Sequence, residues 1–184
     1  RGSRPGAFGL VSRILAPILT VVTLAATMVW ALAFVHGVYG AEHPWVQASR
    51  WIYATVPDGS RIGVEHWDDN LPFGLSGDGN NIASHGYQMV ELPMYEDDTE
   101  AKFELLKERV RECDYISLSS NRLYRTIPRL PQRYPMSTKY YQYLFDGQLG
   151  FEKVAEFSAY PRLGPFTFKD DAADESFTVY DHPR

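Results

Sequence analysis

Residues 87–119, which read YQMVELPMYEDDTEAKFELLKERVRECDYISLS, decide the fold. The stretch begins and ends with short runs, 87–92 and 114–119, whose apolar and β-branched residues predict two strands. Between them, apolar residues recur at helical spacing, which predicts a helix that begins at 97–99, where Asp and Thr can cap it, and runs to residue 112. The apolar stripe of this helix consists of Phe103, Leu106, Val110 and Cys113. A strand, a helix and a strand in this order indicate an α/β domain.

The flanking sequence extends the same pattern in both directions. The further predicted elements are helices over 43–56 and 135–145, strands over 61–65, 151–160 and 176–181, and a long loop over 70–86. Strands and helices alternate first, and two strands follow each other at the end of the chain. We therefore expect a small layered α/β domain over 41–184, whose mixed sheet is parallel in the middle and antiparallel at its end.

A second feature is the uncharged stretch 14–35, which reads ILAPILTVVTLAATMVWALAFV. As a helix these 22 residues span about 33 Å, and the hydrocarbon core of a bilayer is about 30 Å thick. The eleven Leu, Ile, Val and Phe residues contribute on the order of −3 to −7 kcal/mol to membrane insertion. A buried core helix or a signal peptide is the alternative, but the apolar region of a signal peptide usually has only about 7–15 residues. We predict a transmembrane helix over 14–38.

The charges that flank this helix predict its orientation. Arg1, Arg4 and Arg13 precede it, and no Lys or Arg follows until Arg50. Because cytoplasmic flanks carry the excess of basic residues, we expect residues 1–13 in the cytoplasm and the domain that follows the helix outside the cell membrane. After residue 13 the chain has 15 basic and 23 acidic residues, a formal charge of −8, which argues against nucleic acid as a partner.

Two segments that follow predicted strands hold the candidate binding residues, because ligands of α/β sheets gather outside the carboxyl ends of strands. The strand 61–65 is followed by His66, Trp67, Asp68 and Asp69. Carboxylates beside a histidine can hold a cation or act as acid and base. Alternatively, the aspartates cap the N–H groups of a turn while Trp67 packs on the core, and this interpretation is favoured because two adjacent aspartates are a weak metal signal.

The second candidate segment, 119–135, reads SSNRLYRTIPRLPQRYP. Its prolines forbid a continuous helix, so we expect an extended loop. Planar guanidinium groups suit phosphate or carboxylate ligands, for example a lipid phosphate at the membrane, although the same arginines can instead pair with acids of the domain. The candidate substrate- or anion-binding residues of this segment are Asn121, Arg122, Arg125, Arg129 and Arg133.

Motifs of common catalytic and cofactor sites are absent from the sequence. It contains no Walker loop, no G-x-G-x-x-G, no H-E-x-x-H, no C-x-x-C and no G-x-S-x-G. The acidic loop 170–175 lacks the spacing of an EF-hand, and we expect it to be solvated. Cys113 is the single cysteine, which excludes an internal disulfide. We predict no cofactor, no metal site and no catalytic residue in this chain.

Three stretches resemble the C-terminal end of the YYY-type polytopic membrane proteins of Chloroflexi and archaea. They are WIYATVPDGSRIGVEHWDDNLP at 51–72, DYISLSSNRLYRTIPRLPQRYPMSTKYYQYLFDGQLGFEKVAEF at 114–157, and DDAADESFTVYDHP at 170–183. These proteins are related in layout to the lipid-linked-sugar-dependent (GT-C-like) membrane glycosyltransferases. The resemblance implies a terminal transmembrane helix that carries an extracytoplasmic α/β domain. It also implies that the tyrosine-rich motif and the acidic catalytic residues lie upstream, on parts of a longer parent protein.

The expected function is therefore that of a non-catalytic outer domain of a glycosyltransferase that uses a polyprenyl-phosphate-linked sugar. Its expected partners are the lipid bilayer, the rest of the parent protein, and a lipid-linked sugar or an envelope glycan. The alternative is a membrane-anchored, non-enzymatic binding module of the cell envelope. A free-standing hydrolase is a third interpretation, which requires a serine or a carboxylate pair that meets its partner in a pocket.

Overall fold

Two units make up the chain in the computed structural model. The first comprises Arg1–Ala41 and Tyr160–Lys169, and the second comprises Glu42–Ala159 and Asp170–Arg184. The structure describes backbone and side chains for residues 13–65, 69–75, 77 and 79–169, and the backbone alone for 7–12 and 177–181. The sequence-based interpretations of His66, Trp67, Asp68 and the acidic loop 170–175 lie outside the described residues.

The first unit is built on the long helix α1 (Ala7–Phe34), which continues into a π-helical turn over Val35–Tyr39. The prediction of a helix over 14–38 is thus confirmed, and within the described part of the chain this helix is long and apolar enough to cross a membrane. Its side chains from residue 13 to residue 32 are all exposed. Two threonines within this span bond back to carbonyls of their own helix, for example Thr20 to Ala16 at 2.9 Å. The exposed surface of the helix is therefore largely apolar.

A short hairpin completes this unit, in a region where the sequence predicted no element. Strand β5 (Arg162–Leu163) pairs antiparallel with strand β6 (Phe166–Thr167). The Phe168 ring meets the Trp30 ring of α1 edge to face, with 5.8 Å between the ring centroids. Gly37 makes the close approach possible, because a Cβ atom there would lie 2.2 Å from the carbonyl oxygen of Tyr160.

The second unit contains a five-stranded sheet with the strand order β2-β1-β3-β7-β4. Its strands are β1 (Arg61–Glu65), β2 (Gln88–Leu92), β3 (Tyr115–Leu118), β4 (Glu152–Phe157) and β7 (Phe177–Asp181). Strand β1 pairs in parallel with β2 and β3, and β7 pairs antiparallel with β3 and β4. This arrangement confirms the α/β class and the mixed sheet, parallel first and antiparallel at the end.

Helices cover both faces of this sheet. Successive side chains of each strand point to opposite faces, so one strand can contribute to the apolar packing on both sides. Ile62 and Val64 of β1 belong to one apolar cluster together with residues of α2 (Pro44–Thr55). Ile116 and Leu118 of β3 belong to a second cluster with residues of α4 (Glu100–Glu112) and α5 (Pro135–Phe145). Within the described residues of the predicted loop 70–86 there is one short helix, α3 (Ile82–His85). The result is a three-layered domain with a core on each side of the sheet.

Candidate functional site

The strand order makes the carboxyl ends of β1 and β3 a topological switch point, the position at which open α/β sheets have a ligand crevice. From β1 the chain first adds β2 on one side, and it then crosses through α4 to add β3 on the other side of β1. At such a switch point the two connections diverge, and the space between them is where open α/β sheets bind ligands. Strand β1 ends at Glu65 and strand β3 ends at Leu118, and these two neighbouring parallel strands end at the same edge of the sheet.

A buried acid and a buried phenol meet at this edge. The Tyr141 hydroxyl of α5 donates a 2.5 Å hydrogen bond to Oε1 of Glu65. Glu65 is only 6% exposed and Tyr141 only 1%. Burial, and then the nearby Glu65 carboxylate, raise the pKa of Tyr141 well above its ordinary value, so the phenol stays protonated and acts as a donor. The pair is thus a buried polar contact at the carboxyl end of β1.

The arginine-rich segment is folded into consecutive turns, so the prediction of an extended loop is wrong. The amide of Arg125 donates to the carbonyl of Asn121 at 3.0 Å, and that of Arg129 donates to Thr126 at 3.2 Å. A 3-10 turn over Ile127–Arg129 lies in the middle of the segment. The prolines do prevent a continuous helix, but isolated turns satisfy the backbone, because each needs only one or two N–H groups that proline does not occupy.

An aromatic contact joins this segment to the acid–phenol pair. The Tyr124 ring lies between Arg122 and Arg125 in sequence, and its centroid is 6.4 Å from that of Tyr141. Tyr124 also meets the ring of Phe145 at 5.5 Å, and the Phe145 side chain is 45% exposed. Ring contacts therefore connect the arginine-rich segment, through Tyr124, to Phe145 and to the buried Glu65–Tyr141 pair.

The structure locates the other residues predicted from sequence as follows. Asp69 is exposed in the connection after β1, and Asn121 is half-buried at the start of the turns. Arg122, Arg129 and Arg133 are exposed, and Arg125 is half-buried. The Arg133 guanidinium lies over the ring of its neighbour Tyr134, 5.1 Å from the centroid.

A buried ion pair supports the loop that follows β2. Nζ of Lys102 lies 3.4 Å from Oδ1 of Asp98, and both side chains are 2% exposed. Lys102 also donates to Oγ of Ser137 at 2.7 Å, and that hydroxyl donates to Asp98 at 2.5 Å. Asp98 accepts the backbone N–H groups of Met136 and Ser137 as well. It therefore caps the N-terminus of α5, whereas the cap predicted for α4 at 97–99 is provided by Thr99.

This cluster has a structural role. Because Lys102 donates to Ser137 and Ser137 donates to Asp98, the serine hydroxyl is held as a relay between two charges and is not activated as a nucleophile. Ser119 and Ser120, which follow β3, make contacts of a different kind. Ser120 Oγ accepts the N–H of Arg122 at 3.2 Å, and the carbonyl of Ser119 accepts the indole N–H of Trp45 at 2.7 Å.

Sequence reasoning missed Tyr141 and Phe145, and it included Glu65 in the stretch 65–69 without naming it among the candidate binding residues. The signal for Glu65 was present, because it is a charged residue in a strand whose other inner positions are apolar. Tyr141 carried no such signal, since its partner is 76 positions away. Among the described residues there is no group of three or more His, Cys, Asp and Glu side chains placed to hold a metal ion.

The chain was compared with known proteins in three ways. No family model, no curated protein and no solved structure matches it. The class that the described residues define is thus an α/β domain with a five-stranded mixed sheet, which shares its chain with an apolar helix long enough to cross a bilayer.

Proposed function

We propose that this chain is the C-terminal, outer part of a membrane glycosyltransferase that uses a polyprenyl-phosphate-linked sugar. In this proposal α1 crosses the bilayer with its N-terminus in the cytoplasm, and the α/β unit lies outside and is not itself catalytic. Its crevice at the ends of β1 and β3 binds the phosphate-bearing substrate. The single observation that carries the proposal is the convergence of the arginine-rich segment and the Glu65–Tyr141 pair on one edge of the sheet.

The chemistry of the cluster supports a ligand that has both an anionic and a hydroxyl-bearing part. Guanidinium groups form charge-assisted, often bidentate hydrogen bonds with phosphate. A carboxylate accepts hydrogen bonds from hydroxyl groups and can take more than one, so Glu65 can accept from a sugar while it also accepts from Tyr141. An exposed ring such as Phe145 offers an apolar face of the kind that ligand sites use beside their polar groups.

The uneven distribution of charged residues along the chain also supports this proposal. The chain after residue 13 has a formal charge of −8, and yet no acid occurs between Tyr115 and Phe145 while four arginines lie in 122–133. A cationic segment on an acidic domain concentrates an anionic ligand at one place and disfavours it elsewhere on the surface.

The experiment measures binding of polyprenyl phosphate to the complete chain in lipid nanodiscs. The variant Arg129→Ala/Arg133→Ala is compared with Arg111→Ala, which removes an exposed arginine from the far helix α4. We expect the double variant to weaken binding about tenfold, which corresponds to about 1.4 kcal/mol, and the control to leave it unchanged. Equal binding by all three proteins would show that the arginines are structural.

The same assay tests the alternative function. A phosphate-free envelope oligosaccharide is titrated against the same variants. If the oligosaccharide binds and its affinity survives the loss of Arg129 and Arg133, the non-enzymatic envelope module is the better description. In the parent protein, sugar transfer that is unchanged by the double substitution would lead to the same conclusion.

A further inference from the structure

The hairpin of the first unit exposes an unusual amount of apolar side chain for its size. Between Tyr160 and Lys169, the side chain of Phe166 is 69% exposed, and those of Leu163 and Phe168 are each 37% exposed. Both strands have only two residues, and the N–H of Phe168 closes the hairpin on the carbonyl of Pro161 at 2.8 Å. A hairpin this small cannot bury its own apolar residues, so something else must cover them.

This apolar surface is continuous with that of α1. The Phe168 ring touches the Trp30 ring, and Trp30 is itself an exposed residue of the helix. At the other end of the hairpin, the backbone of Tyr160–Arg162 passes over Gly37, where no side chain intervenes. The hairpin therefore runs beside α1 between the levels of residues 30 and 37.

The position of the hairpin along α1 indicates how deep the hairpin would lie in a bilayer. The apolar run 14–35 ends just before His36, so Trp30 lies about 7.5 Å inside that end and Gly37 about 3 Å beyond it. This zone is the boundary between hydrocarbon and headgroups, where aromatic residues accumulate and where interfacial segments bury their apolar face about 5–10 Å deep.

The polar residues of the hairpin suit the same boundary. Arg162 and Lys169 flank the apolar residues and are exposed. Nζ of Lys169 lies over the Tyr160 ring, 5.8 Å from its centroid. Long basic side chains can lay their stems along an apolar surface while the charge stays with headgroups.

We propose that the hairpin Tyr160–Lys169 is a second membrane contact, which inserts Leu163, Phe166 and Phe168 into the bilayer interface beside α1. The partner is the lipid surface. This inference rests on the proposed transmembrane course of α1, because only then do residues 30–37 lie at the boundary of the bilayer.

The test places nitroxide labels on single introduced cysteines in the complete chain in nanodiscs. The positions are Phe166→Cys and Leu163→Cys in the hairpin, Val22→Cys in the middle of α1, and Glu156→Cys in strand β4 as the aqueous control. The native Cys113 is buried and stays unlabelled, which the wild-type protein verifies. Power saturation then compares the access of each label to oxygen, which partitions into lipid, with its access to a water-soluble nickel complex.

We expect the labels at 22, 163 and 166 to favour oxygen, with position 156 several-fold more accessible to nickel. A lipid-exposed label at 22 with water-exposed labels at 163 and 166 would overturn the hairpin inference and leave the transmembrane helix intact. A water-exposed label at 22 would overturn the transmembrane course and the inference with it. Hairpin labels shielded from both reagents would mean that protein covers the hairpin, which also overturns the inference. The variant Phe168→Asp should shift the label at 163 several-fold towards nickel.

Discussion

Removal of the Lys102 ammonium is the most informative perturbation of the α/β unit. Its Nζ donates to the carbonyls of Met94 and Glu96 at 3.1 and 2.9 Å, in addition to Asp98 and Ser137. These contacts tie the loop after β2 to the first turn of α5, which carries Tyr141 further along. The substitution Lys102→Met keeps an unbranched apolar side chain that is one atom shorter, and it removes the ammonium with its charge and its hydrogen bonds.

The expected loss of stability follows from the burial of the partner. Breaking a buried ion pair by removing one member costs about 3–5 kcal/mol, because the other charge stays buried without its partner. Asp98 keeps the N–H groups of Met136 and Ser137, so we expect a value near 3 kcal/mol, at the low end of that range. The matched control is Lys107→Met on the same helix, whose exposed pair with Glu104 is worth about 0–1 kcal/mol.

Urea unfolding of the complete chain in detergent, followed by near-UV circular dichroism, measures both values. A double-mutant cycle with Asp98→Asn isolates the pair, and we expect a coupling of at least about 1 kcal/mol. The buried pair does not hold this loop if Lys102→Met and Lys107→Met shift the urea midpoint equally. The same conclusion follows if the effects of Lys102→Met and Asp98→Asn simply add in the double variant.

The same cluster predicts that the stability of the folded state decreases at acidic pH. Burial alone would raise the pKa of Asp98, but the hydrogen bonds from Ser137 and Met136 and the charge of Lys102 outweigh it, so the pKa lies below the ordinary 3.8. A lowered carboxyl pKa stabilises the folded state above about pH 4, and this contribution is lost as the pH falls through the lowered value. Because Lys102→Met removes one of the lowering causes, its acid unfolding should begin at a higher pH than that of the wild type.

Three further outcomes are expected. Gly63→Ala should destabilise the α/β unit by about 1–3 kcal/mol, because the new Cβ would lie 2.8 Å from Sγ of Cys113, and Cys113→Ala should restore part of the loss in urea unfolding. The buried Cys113 thiol, whose pKa burial raises to about 12, should react with maleimide only on unfolding, whereas Ser158→Cys should react at once. Gly37→Ala should push the hairpin off α1, which trypsin would report as faster cleavage within 160–169 than in a Val35→Ala control.

The elements with local signals were predictable from the sequence. The strand at 61–65 and the helix at 135–145 have the predicted bounds, since Pro135 at the first helical position and Asp146–Gly147 after the last are local features. The hairpin was not predictable, because strands of two residues carry no periodicity. The sequence also offered Asp98 as one of the capping residues of the nearer helix, α4. Its actual partner, Ser137, is 39 positions away, and local spacing gives no information about it.

The candidate site, too, could be predicted from the sequence only in part. That the arginine-rich segment follows a strand could be read from the sequence, and the rule about carboxyl ends then pointed to this edge. The order in which β1, β2 and β3 pair is set by long-range packing, and this order places the ends of β1 and β3 at one switch point. The pairing of Glu65 with Tyr141 depends on how α5 lies on the sheet, which no local pattern specifies.

The buried acid at the end of β1 is hard to explain by stability alone. Replacing both members of a buried hydrogen-bonded pair by apolar residues of similar shape is often neutral or stabilising. The variant Glu65→Met/Tyr141→Phe should therefore unfold within about 1–2 kcal/mol of the wild type, while it loses affinity for a glycosyl polyprenyl phosphate in nanodiscs. That combination would mean that the pair is retained for a ligand, as expected where function and stability compete. A variant that unfolds several kcal/mol more easily would mean instead that Glu65 and Tyr141 serve the fold, and only the arginines would then favour a ligand at this edge.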